Sequence, residues 1–472
     1  MRAVFIRWAA AFAAIAVTAV TLAGTAAEAA PRAPATPPSG LIDPCPQAAP
    51  GLAGCATLIS KPSASPSGQP VSRAASRAGA DAAAVTPSGL SPANLQQAYG
   101  FEGARSGSGE TVAVVTAYND STAASDLAAY RGQYGMQPCT VADGCLAQVS
   151  QTGSTTSLPG AAAGWTAPVA ESIDMISAIC PNCHILLVEA SSSSIADLGT
   201  AENEAVTLGA TFIDNDWDIP EAQLGATETA YDTSYFDHPG VAITAPAGDD
   251  GYGTVNYPAA SPDVTAVGGT VLTAAAGTPR GYTETAWSGT SSGCSAYEPK
   301  PSWQTDTGCA GRTLNDLAAD AGTLVAYYDT ASQGGWGSGN GTVVAAAIVA
   351  AAYALAGRPA AGTYPASYPY TYPGGAYTTP GNAYPYADGL NNITAGSDGT
   401  CSVTYLCTAG PGYNGPAGLG SPATPLALTT AGETGAYQVH AAASICFDDA
   451  GDSSAAGNKV QIWDCNGGNA QD

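Results

Sequence analysis

The sequence predicts an α/β fold, a parallel sheet flanked by helices. Two observations carry this. The runs Glu110 to Tyr118 and His184 to Ala190 are continuously apolar, as strands buried on both faces are. Stretches of helical character stand between such runs, and strands alternating with helices build a parallel sheet. A chain of 472 residues is long enough for one large core and further segments.

The elements follow in order. Arg2 and Arg7 precede an apolar run from Trp8 to Leu22, and Ala27, Glu28, Ala29 and Ala30 supply a small-residue cleavage site. Residues 1–30 are therefore expected to be a secretory signal peptide. The run is short for a membrane span, and no other stretch qualifies. Residues 31–88, rich in Pro, Ala and Ser, read as a flexible leader with Cys45 and Cys55 closing one small loop. From Gly89 the texture changes. Ser91 to Tyr99 is a short helix, Glu110 to Tyr118 a strand, and Ser121 to Tyr134 a helix with Ser121 as its N-cap. A helix continues through Met175 to Cys180. His184 to Ala190 is a strand, Ile195 to Leu208 a helix, and Ala210 to Ile213 and Gly240 to Ala245 further strands. The Ala-rich segment 344–356 is helical.

Charge and cysteine usage bound the function. Against 38 acidic residues stand 13 basic ones, a formal net charge of −25, so phosphate backbones repel the chain and nucleic acid is excluded as a partner. The twelve cysteines fit an oxidising compartment and fall in close pairs: Cys45/Cys55, Cys139/Cys145, Cys180/Cys183, Cys294/Cys309, Cys401/Cys407 and Cys446/Cys465. Cys180-Pro-Asn-Cys183 reads as a structural bridge rather than a redox motif, because a thioredoxin-like context is absent. His184, His238 and His440 form no zinc-ligand spacing.

Several motifs resemble the sedolisin family of serine-carboxyl peptidases. Trp336 begins a Gly-rich stretch that passes through Gly341 and Thr342 into an apolar helix, like the family's nucleophile turn. Trp165, Asp174 and Met175 match its acidic helix, and Gly248-Asp249-Asp250-Gly251 its oxyanion loop. Gly293 to Trp303, Tyr353 to Gly357 and Gly418 to Gly420 match its scaffold. The resemblance runs from residue 89 to 425 and implies a subtilisin-like fold. It implies a Ser nucleophile, a Glu base, an Asp that orients it, and a second Asp at the oxyanion. In this chain Val343 stands at the nucleophile, Pro168 at the base and Ser172 at the orienting Asp, and Asp249 alone is kept. Valine has neither a lone pair nor a proton to give, so a pseudoenzyme is expected. Glu171 and Asp174 are three apart and have two readings, a repurposed dyad or acidic residues near a helix start. Ser338 and Ser172 lack an assignable base. The resemblance also implies calcium near Asn392, Ile393 and Asn414. Amides replace two acidic ligands there, so calcium should bind weakly or not at all, with Asp398 the one nearby carboxylate.

Residues 426–434 read as a linker, and 435–472 resemble the first repeat of a ricin-type β-trefoil lectin. Asp448, Gln461, Trp463, Asn466 and Gln471 are its sugar-binding residue types, and Cys446 and Cys465 its bridge. A trefoil needs three repeats of about 40 residues, so the repeat is incomplete and a truncated longer protein is the preferred explanation. The expected function is a secreted, catalytically inactive sedolisin-like protein that holds a peptide or protein ligand in the old cleft and carbohydrate on its tail. An active serine-type peptidase with a rearranged site, and a secreted carbohydrate-binding protein, are the alternatives.

Overall fold

The computed structural model describes residues 40–45, 48–61, 87–101, 107–371, 389–429, 445–449 and 460–464. They belong to one compact unit, Thr36–Asp472. The elements that build the site are β1 (Leu41–Ile42), β2 (Leu58–Ser60), α1 (Pro92–Tyr99), β3 (Thr111–Ala117), α2 (Ala123–Gln133), β4 (Leu146–Ser150), α3 (Thr166–Ile179), β5 (His184–Ala190), α4 (Ile195–Thr207) and β6 (Phe212–Asn215). After them come β7 (Ala242–Pro246), β8 (Thr265–Ala274), β9 (Tyr282–Ala286), β10 (Leu317–Asp320), β11 (Val325–Asp329), β12 (Gly335–Asn340) and α5 (Thr342–Ala356).

An eight-stranded sheet runs β9-β8-β7-β6-β3-β5-β4, with β10 paired to β8. All its pairings are parallel except β8 with β9. Side chains alternate across a strand, so each strand feeds two cores. Val112, Val114, Ile185 and Leu187 join the core that contains residues of α3 and α5. Ala113, Val115, Leu186 and Val188 join the one that contains α4. Both faces being covered explains why these strands are apolar without alternation.

α5 is buried from Thr342 to Leu355 and packs against α3 and the sheet. A helix apolar on every side has no face for water, and its many alanines let it lie close to its neighbours. α1 starts where the sequence places it. The Ser91 hydroxyl accepts from Asn94 N–H, and Asn94 Oδ1 accepts from Ser91 N–H. α2 corrects an expectation. Its N-cap is Thr122, not Ser121, because Asp120 accepts from the Thr122 N–H and hydroxyl at 2.8 and 2.7 Å and fixes that turn.

A second, antiparallel sheet runs β1-β2-β12-β11. Two of its strands, β1 and β2, come from the leader, so residues 40–45 and 48–61 are built into the fold rather than flexible. Five expected bridges are formed: Cys45–Cys55, Cys139–Cys145, Cys180–Cys183, Cys294–Cys309 and Cys401–Cys407. Cys446–Cys465 lies outside the described residues. The 435–472 segment contributes one described hairpin, Ile445–Asp449 with Val460–Asp464, and no trefoil is described.

A buried ion pair ties down the loops beneath the sheet edge. The Arg312 guanidinium donates to both Asp316 oxygens, at 3.1 and 2.6 Å, and to the Ala259 and Val264 carbonyls. Both side chains are fully buried. Asp316→Ala leaves that cation unpaired and is expected to cost about 3–5 kcal/mol, read as a lower midpoint in urea denaturation.

Candidate functional site: a groove around Asp249, Glu171 and Val343

In open parallel sheets, ligands bind beyond the carboxyl ends of the strands. β6 ends there and runs into Asp216-Trp217-Asp218, and β7 runs into Gly248-Asp249. β12 turns through Gly341 into α5, which brings Thr342 and Val343 to the same place.

Asp249 is held by this turn. Its Oδ1 accepts from the Thr342 N–H and the Thr342 hydroxyl, both at 2.9 Å, and that hydroxyl accepts from Gly248 N–H at 3.0 Å. Its Oδ2 is buried with no partner. Burial pushes the acid up to about 8, although both bonds from Thr342 favour the carboxylate. At acidic and neutral pH Asp249 is therefore an O–H donor in the position where the sequence places an oxyanion residue.

Opposite stands Glu171 on α3, fully buried. The Thr57 hydroxyl donates to one of its oxygens and also lies 3.1 Å from the Asn340 carbonyl. One hydroxyl proton cannot fully serve both acceptors. Burial raises Glu171 well above the usual carboxylate range, and the charges of Asp249, Asp329 and Asp216 add to the effect. Glu171 thus lies buried beyond the first turn of α3, which corrects its reading as an acidic residue near the helix start. It lies one helical turn past Pro168, so α3 still aims a carboxyl at the groove. Asp174 does not join it: its Oδ2 accepts from Tyr328 N–H on β11 at 2.9 Å.

Pro168 and Ser172 are buried on α3, and Ser172 lies beside Asp214. Val343 is buried, and its N–H donates to the Ala56 carbonyl at 3.2 Å. The Thr342 hydroxyl is engaged by Asp249 and Gly248. Ser338 sits on β12 opposite Ala326, and its N–H donates to the Ser60 hydroxyl. Sequence reasoning missed Ala56, Thr57 and Asp218. The Cys45/Cys55 pair was the one hint that the leader has structure.

The segment expected to hold calcium is arranged around an amide. Asn414 Nδ2 donates to the carbonyls of Ile393, Gly410 and Gly412 at 3.1, 3.2 and 3.3 Å, while its Oδ1 accepts from Ala417 N–H. Calcium needs six to eight oxygens directed at one point. An NH₂ donor directed at three carbonyls does not fit that ion, because it stands where the metal would need a further oxygen. Asn392 Oδ1 is buried without a partner. Asp398 cannot substitute freely, since it accepts from the Ser292 hydroxyl and burial pushes it up to about 7. The lone described group of metal-ligand type, Asp43 with Cys45 and Cys55, has its sulfurs tied up in a disulfide.

Of the lectin-like residues, Asp448 pairs in register with Gln461, and Trp463 with Cys446. Asn466 and Gln471 lie outside the described residues.

No protein-family model matches the chain. Kumamolisin of Bacillus sp. (strain MN-32) is 27% identical over 372 residues, which cover 72% of this chain. The chain spans 63% of that protein's length. Pseudomonas sedolisin, a serine-carboxyl proteinase solved in complex with two molecules of pseudo-iodotyrostatin, is 25% identical, with a TM-score of 0.58 over 72% of this chain and 96% of that one. Over these stretches the chain is similar to kumamolisin and to sedolisin. Its α/β architecture is the subtilisin-like fold of sedolisin, and the turn from β12 into α5 is the structural counterpart of the sequence motif that suggested the family. Among the described helices none is long and apolar enough to cross a membrane.

Two predictions follow from this chemistry. Buried acids with raised pKa bind protons more tightly folded than unfolded, where carboxyls titrate near 4. Their stabilising effect is complete below that value and is lost as pH climbs through the folded pKa. That is about 7 for Asp214 and about 8 for Glu202, Asp249 and Asp320. Thermal unfolding should therefore show a higher Tm at pH 4 than at pH 8. Separately, EDTA should leave the Tm of the native chain unchanged, whereas Asn414→Asp should make it calcium-dependent by several degrees.

Proposed function

We propose that this protein is a secreted, catalytically silent member of the sedolisin group that binds an extended peptide in its groove. The observation that carries the reading is Val343. It occupies the first turn of α5, buried, with its N–H on a peptide carbonyl and no hydroxyl to attack with. The oxyanion side of the site is kept in Asp249, so the groove retains the means to hold a carbonyl without the means to cleave beside it.

A rearranged active site needs a substitute nucleophile, and the two hydroxyls hydrogen-bonded to Asp249 and Glu171 are committed. Thr342 is bound to Asp249 and Gly248, and Thr57 to Glu171 and Asn340. The signal-like N-terminus and the disulfides support secretion. Carbohydrate binding by the tail rests on its residue types and belongs to the 435–472 segment alone.

Digestion of denatured casein by the purified secreted protein, from pH 3 to 8, tests this. No cleavage is expected from the native chain or from Val343→Ser, which still lacks the Glu and Asp replaced by Pro168 and Ser172. Cleavage by the native chain that Asp249→Ala abolishes would establish a rebuilt active site instead.

A further inference from the structure

The groove is already filled by the chain itself. Residues 52–60 lie extended between two edges. On one edge Ala53 N–H donates to Ser193 O at 2.8 Å, Gly54 N–H to Asp218 O at 2.9 Å, and Asp218 N–H to Gly54 O at 3.1 Å. Leu52 bridges Ser194 on the same side. On the other edge Leu58 and Ile59 pair with Asn340 and Gly339 of β12. Pairing one strand to an exposed edge is a common way to bind a peptide, with main-chain bonds supplying affinity. Here the bound strand has partners on both sides, and the contact changes from one edge to the other at Ala56-Thr57.

That changeover falls on the old chemistry. The Ala56 carbonyl accepts from the N–H of Val343, the nucleophile position. A Cβ placed on Gly341 would collide with that carbonyl and lie 2.8 Å from both Asp249 Oδ2 and Thr57 Cα. Asp249 Oδ2 is buried and unpartnered, so the carbonyl and the free acid oxygen converge on one glycine. On the far side Thr57 meets Glu171. The segment is also clamped at its ends. Cys45–Cys55 ties the segment to the residues before it, Gly51 N–H donates to Gln223 Oε1, and Lys61 N–H donates to Gly40 O.

We propose that residues 52–60 are a built-in substrate that is held and never cut, with the Ala56–Thr57 peptide bond where a hydrolysing relative would be cleaved. This rests on reading the groove as a peptide site. It adds that the resting groove is closed, so any outside peptide must first displace this strap. The occupant is side-chain modest at the centre (Ala56, Thr57) and apolar beyond it (Leu58, Ile59). A displacing ligand is therefore an extended peptide with a small residue, then a small hydroxyl residue, then aliphatic ones.

Hydrogen–deuterium exchange on the secreted full-length chain tests the strap independently of activity. Amides of 53–60 should exchange at least about tenfold more slowly than an unstructured leader would. Gly54→Pro removes the N–H that Asp218 accepts. It should release protection in 52–60 by about tenfold while α5 stays protected. A fluorescent peptide copying residues 50–61, with Ser at the position of Cys55, should bind that variant and be excluded by the native chain. Exchange of 53–60 at the free-peptide rate in the native chain, with α5 protected, overturns the proposal. So does a variant in which 52–60 stays protected, or native and variant chains binding the peptide equally. If Gly54→Pro also exposes α5, the native exchange rates alone decide. Casein cleavage by the native chain would overturn the inactive reading without touching the strap, so the two failures are distinguishable.

Discussion

The site depends on one backbone constraint at Gly341. Its φ of 135° is a conformation that side-chain-bearing residues rarely adopt. At this point an inner strand of the second sheet, β12, must turn at once into α5, a helix with no wet face. The turn brings the first N–H groups of α5 to Asp249 and to the Ala56 carbonyl, and a side chain at 341 would strike both. The unsatisfied donors of a helix start are thereby matched to acceptors from two distant parts of the chain. Gly248 obeys the same rule with φ 99°. A Cβ there would press on Asn256, Asp218 and Ser291, so Asp249 has one approach to Thr342.

Burial drives the acids around this turn toward the neutral form. Desolvation disfavours the charged form, and in this groove neighbouring carboxyls reinforce it for Glu171, Asp218 and Asp249. The same physics operates away from the groove. Glu228 and Glu298 are each pushed up to about 9 by burial and by their neighbours Glu221 and Asp232. A neutral carboxyl is both donor and acceptor, which is the character burial favours for Asp249.

Much of this was legible in the sequence, and the failures have physical causes. β5 runs from His184 to Ala190 as its apolar texture demands, and α1 begins where Ser91 and Asn94 cap it. Boundaries slipped where a side chain outside the pattern set the turn, as Asp120 does before α2. Val343, Pro168 and Ser172 could be placed by motif because Trp165, Gly341 and Thr342 bracket them. Glu171 was harder. Its meaning depends on a partner, Thr57, that is 114 residues away in a segment with no periodicity. Leader strands held by edges elsewhere in the fold leave no local signature, since their bonds are to the backbone and any sequence can make them. The role of the Asn414 amide likewise emerges only when three carbonyls are seen to converge on its nitrogen.

The buried acids also alter how the molecule meets its surroundings. The formal net charge of −25 counts every carboxyl as ionised at pH 7. Glu202, Asp249 and Asp320, held near 8, carry mostly protons there, and burial shifts Glu171, Asp174, Asp216 and Asp218 in the same direction. The field that a passing ion or peptide feels is accordingly weaker than the composition suggests. The surface, not the groove floor, supplies most of it, so an acidic ligand meets less repulsion at the groove than counting residues would imply.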